Sequence, residues 1–141
     1  MPKRDFCSVF DFSSEEIRQV FAMALEMKRE VPGKRFVPRL KDKVLAMIFE
    51  KPSLRTRCTF EIAMLQSGGS AIYMGPQEVG LGKRESVYDI AKNIERWFDL
   101  VMIRTFAQDN VEQLARYCSA PVINALSDRA HPCQAMADYL T

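Results

Sequence analysis

The chain has one histidine and one tryptophan, and its four cysteines (Cys7, Cys58, Cys118, Cys133) are scattered without a Cys-x-x-Cys pair. That argues against a histidine-rich metal centre, a zinc ribbon or a disulfide framework. The thiols are expected to be reduced, in a cytoplasmic protein with no cofactor. No apolar run approaches the roughly 18 residues of a membrane span. The N-terminus, Met1 to Phe6, lacks the apolar core of a signal peptide. Charge of one sign is also missing: 20 basic residues against 18 acidic give a net +2. Bulk electrostatics therefore points to neither nucleic acid nor a membrane surface, and any anion site must be local. Glycine is absent where a dinucleotide site needs it, since residues 50–57 contain none. Gly82-Lys83 has neither the upstream glycine nor the following Ser/Thr of a Walker P-loop.

What is present suits one soluble domain spanning 1–141, with 48% apolar and 27% charged residues. Ser13 or Ser14, followed by Glu15-Glu16, opens a helix that keeps near-helical apolar spacing to Lys28 and stops at Pro32-Gly33. The basic segment 34–43 reads as a solvated connection. Residues 44–49 are apolar almost throughout, as strands buried on both faces of a parallel sheet are. A helix over 54–67 ends at Ser67-Gly68-Gly69, a short strand covers 71–74, and 75–84 reads as a loop with three glycines and two cations. A helix is expected over 85–98, with Val87, Ile90, Ile94 and Trp97 on its inner stripe. Strand 100–103 runs into Arg104-Thr105. Asp109 is expected to cap a helix over 110–118, strand 121–126 follows, and His131-Pro132 starts a last helix. Four strands alternating with helices predict an α/β fold: three layers, αβα, with a central four-stranded parallel sheet. An apolar-periodic helix running to Thr141 reads as part of a longer protein.

Ligands of such sheets bind beyond the carboxyl ends of the strands. Strand one delivers Ser53, Arg55, Thr56 and Arg57 onto a helix start, where free N–H groups favour an anion. Two arginines in a first helical turn oppose the macrodipole by about 0.3–1 kcal/mol each, so something negative is expected there. Strand two delivers the Gly80–Arg84 loop. Strand three gives Arg104 and Thr105; strand four gives Ser127, His131 and Gln134. No carboxylate pair, Ser-His-Asp order or metal cluster occurs at these ends. A site built from donors only suits a phosphorylated or oxygen-rich substrate without a metal. Arg55 and Arg57 lie about 200° apart around a helix, so they cannot share one ligand. Arg55 is nearer the helix start, whereas Arg57 can pair with Glu61 or Glu50.

Phe49-Glu50-Lys51-Pro52-Ser53-Leu54-Arg55-Thr56-Arg57, with Cys58-Thr59-Phe60-Glu61, resembles the Ser-Thr-Arg-Thr-Arg signature of the aspartate and ornithine carbamoyltransferases. Arg104-Thr105 and His131-Pro132-Cys133-Gln134 resemble that family's other carbamoyl phosphate motifs, in the same order. Leu81 to Ser86 and Ala137 to Thr141 look more like the ornithine branch; N-acetylornithine or aspartate as acceptor, or a non-enzymatic anion-binding module, are the alternatives. The resemblance implies a carbamoyl phosphate-binding half of an enzyme that carbamoylates L-ornithine to L-citrulline, in arginine biosynthesis or catabolism. It implies Ser53, the Leu54 backbone, Arg55 and Thr56 as the phosphate cradle. Arg104 and His131, with Thr56, would polarise the carbamoyl oxygen, and Gln134 would orient the carbamoyl amine. It implies a homotrimer, or a multiple of one, and a second, amino-acid-binding domain not found in this chain, so that these residues alone are expected to lack transferase activity. Leu54 stands where the family has a threonine, leaving only its backbone N–H. Gly80 stands where the ornithine branch often has a Gln or His that reaches the neighbouring subunit, and Lys83 or Arg84 is expected to make that contact instead.

Overall fold

The computed structural model describes residues 3–82 and 84–141. Helix α1 (Ser14–Glu30) is followed by β1 (Val44–Phe49), α2 (Leu54–Gln66), β2 (Ser70–Met74), α3 (Pro76–Val79) and α4 (Val87–Ile94). Then come β3 (Leu100–Arg104), α5 (Gln108–Tyr117), β4 (Val122–Leu126) and α6 (Pro132–Leu140). The strands form one parallel sheet in the order β2-β1-β3-β4. The chain reverses its direction of progress across the sheet at β1, so the switch point lies between β1 and β3. There Phe49 is in register with Arg104, which sets the two ends side by side.

Both faces of β1 are buried, as its unbroken apolar sequence predicts: Leu45 to Phe49 are 0–1% exposed. Strand alternation divides them. Ala46 and Ile48, with Val101 and Ile103, pack against Val87, Ile90 and Ile94 of α4 and Val111 and Leu114 of α5. Leu45, Met47 and Phe49, with Met102, pack toward Met64 of α2. Each such side chain contributes about 1.5–3 kcal/mol of burial, and this double-sided core holds the strand ends in place.

Side-chain caps fix the helix starts. Ser13 accepts from Glu16 N–H and Glu16 from Ser13 N–H in a reciprocal capping box; Ser53, Ser86 and His131 cap α2, α4 and α6. Asp109 does not cap α5. The helix begins two residues before the expected start, at Gln108, whose N–H donates to Asp128 Oδ1 at 2.8 Å. The cap thus comes from a loop 20 residues away, which local patterning does not show. Helix α4 is shorter than 85–98 at both ends, and Trp97, beyond its end, is 67% exposed and not inward. The 75–84 loop contains α3, stopped by Gly80 in the left-handed region (φ 52°). The 34–43 connection is tied down, because Arg39 donates to Glu26 and Glu30 of α1 at 2.9 and 2.7 Å. A further element precedes α1: Phe6 forms a parallel bridge to Ile123 at the outer edge of β4, followed by a 3-10 turn at Val9–Asp11.

Candidate functional site

A cleft of about 510 Å³ opens at the carboxyl ends of β1, β3 and β4, lined by Ser53, Arg55, Thr56, Arg104, His131 and Gln134. Thr59 and Phe60 of α2 and Leu126, Cys133 and Ala137 complete the walls. The sequence motifs include Thr59, Phe60, Cys133 and Ala137 but give none of these five a role. Phe60 and Ala137 carry only the signal of an apolar helix stripe, which does not distinguish the wall of a cleft from the core.

The first donor group grows out of β1. Glu50 N–H donates to the Arg104 carbonyl at 2.8 Å, locking the ends of β1 and β3 together. Pro52 and an extended Ser53 (φ −158°, ψ 113°) then turn the chain into α2. Ser53 Oγ accepts from Thr56 N–H at 3.3 Å. The N–H groups of Leu54 and Arg55 have no intrahelical acceptor, as at every helix start, and with the positive end of the helix dipole they make a local environment that favours negative charge. The Leu54 side chain is 78% exposed and outside the cleft lining, which leaves only its backbone N–H to act there.

Arg104, at the end of β3, is half-buried. Its Nη1 donates to Thr56 Oγ1 at 3.3 Å, and Thr56 Oγ1 lies 3.1 Å from Ser53 Oγ. Its Nε is buried and, among the described residues, has no hydrogen-bond partner. Burial first, and the neighbouring Arg55 charge second, push its pKa down; an arginine nonetheless stays protonated. The lining contains two arginines, a histidine, two threonines and a serine, and no carboxylate. A partly desolvated cation without a counter-charge is costly, and an anion in the cleft would offset that cost.

His131 is the N-cap of α6. Its Nδ1 accepts from Gln134 N–H at 3.4 Å. That bond assigns the ring proton to Nε2, making Nε2 a donor. Burial, then the Arg104 charge, lower the imidazole pKa against a smaller opposing effect of Asp138. The ring is therefore a neutral donor at pH 7. Gln134 Nε2 donates to Asp138 Oδ1 at 2.7 Å, which leaves its Oε1 free to accept from an N–H. Cys133 is no nucleophile at neutral pH: its thiol donates to the Asn124 carbonyl at 3.4 Å, and burial pushes its pKa up to about 11.

Other strand-end residues face elsewhere. Arg57 pairs with Glu61 at 2.9 Å and stacks over Tyr73, as expected from its spacing. Thr105 donates its hydroxyl to Glu50, and Ser127 donates to Gln108; neither lines the cleft. Arg84 lines a separate groove with Met74, Glu85 and Trp97, so within one chain it does not meet the anion donors. It packs against Gly80, where a Cβ would lie 3.0 Å from Arg84 Cβ. Lys83 lies outside the described residues.

Residues 4–141 match the family model for aspartate/ornithine carbamoyltransferase, carbamoyl-P binding domain. The chain is 48% identical over 142 residues to an ornithine carbamoyltransferase of Thermus thermophilus, covering 100% of this chain and 46% of that protein. It is 46% identical over 139 residues to one of Anoxybacillus flavithermus, covering 98% and 44%. The fold superposes on a solved ornithine carbamoyltransferase from Pyrococcus furiosus with a TM-score of 0.95 at 42% identity, covering 99% of this chain and 44% of that one. The chain spans less than half the length of these relatives.

Proposed function

The chain belongs to the aspartate/ornithine carbamoyltransferase family, and from that premise we propose that it is the carbamoyl phosphate-binding half of an enzyme that carbamoylates L-ornithine to L-citrulline. The observation that carries the reading is Arg104: a half-buried guanidinium with an unpartnered Nε, beside a neutral imidazole donor, in a cleft without a carboxylate. The phosphate sits on the start of α2, held by Ser53, the Leu54 and Arg55 N–H groups, the Arg55 guanidinium and Thr56. The carbamoyl oxygen then faces Arg104, His131 Nε2–H and Thr56. Gln134 Oε1 and the carbonyls of the 127–130 loop receive the carbamoyl N–H groups.

The reaction is attack of the ornithine side-chain amine on the carbamoyl carbon. The carbonyl π pair moves onto oxygen, the tetrahedral intermediate collapses, the C–O bond to phosphate breaks, and the attacking nitrogen gives its surplus proton to the departing phosphate. Negative charge grows first on the carbamoyl oxygen, where Arg104 and His131 are aimed, and then on the leaving phosphate, where Ser53, Arg55 and Thr56 are. Fixed donors of this kind are worth about 10²–10³ in rate each. A protonated imidazole would also donate, but at the expense of a second cation against Arg104; the neutral ring avoids this.

The amino-acid-binding part of the reaction belongs to a second domain, and the 141 residues alone bind carbamoyl phosphate without measurable transfer. The assembly is a cytoplasmic homotrimer or a multiple of one, in which Lys83 or Arg84 reaches the neighbouring site. Among the described residues no helix is long and apolar enough to cross a membrane. Calorimetry with carbamoyl phosphate and with a bisubstrate phosphonate carrying an ornithine arm tests the reading. Binding of the first, with no added affinity from the arm, is expected; absence of carbamoyl phosphate binding, or citrulline production by this chain alone, would refute it.

A further inference from the structure

We infer that Gln108 and Ser127 are positioning residues for the carbonyl-polarising half of the cleft, acting through the loop that precedes His131. The inference rests on the function proposed above. The cleft has two halves of separate origin. Ser53, Arg55 and Thr56 come from the β1–α2 junction, whereas Arg104 ends β3 and His131 follows β4. The loops after β3 and β4 are bound to each other. Thr105 N–H donates to the Leu126 carbonyl and Asp128 N–H to the Phe106 carbonyl, both at 2.9 Å, and Gln108 N–H donates to Asp128 Oδ1 at 2.8 Å.

Beneath these backbone bonds lies a buried polar cluster: Asn124 at 0% exposure, Gln108 at 7% and Ser127 at 8%. Gln108 Oε1 accepts from Ser127 Oγ at 2.5 Å and from Asn124 Nδ2 at 3.3 Å. A serine hydroxyl has one proton. With that proton directed at Gln108, the Ser127 lone pairs are left for the loop, and they accept from Ala130 N–H at 3.1 Å and Arg129 N–H at 3.4 Å. Ala130 is the residue before His131, so the Ser127 oxygen fixes the backbone from which the imidazole projects. Asn124 Nδ2 also donates to the Cys7 carbonyl at 3.0 Å, which anchors the cluster to the N-terminal segment bridging β4. Neither Gln108 nor Ser127 lines the cleft. The deletion of one bond in such a buried cluster leaves a partner unsatisfied, and the loop rearranges to satisfy it. A shift of about 1 Å in His131 is enough to lose a donor aimed at one oxygen.

A merely structural cluster and a positioning one differ in what they do to two ligands. Methylphosphonate needs only the α2 cradle; phosphonoacetamide adds an amide carbonyl in the position of the carbamoyl oxygen. The test is titration of both into the wild-type chain, Gln108→Met and Ser127→Ala. Methionine keeps the length of glutamine without its acceptor. Both variants are expected to bind methylphosphonate within about twofold of wild type and phosphonoacetamide about tenfold more weakly. Equal losses for the two ligands, or none for either, overturns the inference. A second readout is independent of any ligand. His131 is the only histidine, so the nitrogen resonances of its imidazole in a tag-free chain report its tautomer directly. Wild type is expected to show one neutral Nε2–H tautomer and both variants a mixture. If wild type shows no preference for phosphonoacetamide, the proposed function fails, and the imidazole spectrum still decides this inference: an unchanged tautomer in both variants overturns it.

Discussion

Replacing Arg104 with methionine separates what the side chain does for the fold from what it does for the ligand. In the unliganded chain its Nε is buried without a partner, and its one described hydrogen bond is Nη1 to Thr56 Oγ1 at 3.3 Å. An unsatisfied buried donor costs about 1–3 kcal/mol, and a bond of that length returns about 0.5–1.5 kcal/mol. Methionine keeps most of the apolar stem in contact and removes both effects. The variant is therefore expected to be as stable as wild type or more stable by up to about 2 kcal/mol, without any anion present. For a domain of this size that is an upward shift of as much as roughly 6–8 °C in Tm. With ligand the order inverts. Saturating carbamoyl phosphate at about 100 Kd stabilises wild type by about 2.7 kcal/mol. A variant lacking one or two charge-assisted bonds, about 1.5–3 kcal/mol each, retains little of that. The assay is a pair of thermal melts by circular dichroism, in phosphate-free buffer and in carbamoyl phosphate. A loss of more than about 2 kcal/mol by Arg104→Met in phosphate-free buffer would show that the guanidinium is paired in the empty cleft, and would refute the argument.

Three further outcomes are expected. The lone imidazole of His131 titrates below its ordinary value of 6.5; the unfolded chain then binds the proton more readily, so stability falls as pH drops below about 6.5 and levels off once the folded state is also protonated. Arg104→Gln should move the His131 midpoint back upward in NMR titration, and a midpoint at or above 6.5 in the wild-type chain would contradict the assigned neutral ring. Thr56→Val keeps the shape of the side chain but removes the hydroxyl shared by Ser53 and Arg104; anion affinity is expected to fall about tenfold in calorimetry, with stability changed by less than about 1.5 kcal/mol. Ile48→Ala empties a fully buried position in β1 and should cost about 2–5 kcal/mol in a urea melt; a cost below 1 kcal/mol would mean that the switch-point strand is not tightly packed.

The parts of the molecule legible from sequence are those whose cause is local. Val44 to Phe49 reads as a doubly buried strand because every residue is apolar, and Ser53 reads as a cap because the helix it serves begins at the next residue. The His-Pro-x-Gln motif points to His131 and Gln134, and both line the cleft. The motif did not show that His131 spends Nδ1 on its own helix, which sets the proton on Nε2. Where the cause is distant, the reading failed. Asp128 caps α5 from another loop, whereas local patterning favours Asp109. Phe6 joins β4 opposite Ile123, 117 residues away, donating to the Val122 carbonyl and accepting from Asn124 N–H, and nothing in Asp5-Phe6-Cys7 announces a bridge. Trp97 fits a helical stripe that the helix does not live long enough to use, because α4 ends at Ile94. The place of Ser127 after a strand end suggests a ligand donor, but its hydroxyl turns inward to Gln108.

The strand order has a consequence for how the chain folds. The two central strands, β1 and β3, each carry part of the cleft at their ends, and in the chain the edge strand β2 comes between them. No contiguous stretch of the chain contains the site. A partly folded form with β1 and β2 paired has the cradle at Ser53 but lacks Arg104, and one with β3 and β4 paired has Arg104 and His131 but no cradle. Ligand can therefore reward only openings that leave the whole sheet intact. In hydrogen exchange, an anion should slow the amides of β1 and β3 together and by the same free energy, while the fraying of α1, which has no fully buried residue, should proceed at its own rate. The ligand would thus act as a clamp on the last step of folding, and its binding energy would register as cooperativity between segments about fifty residues apart.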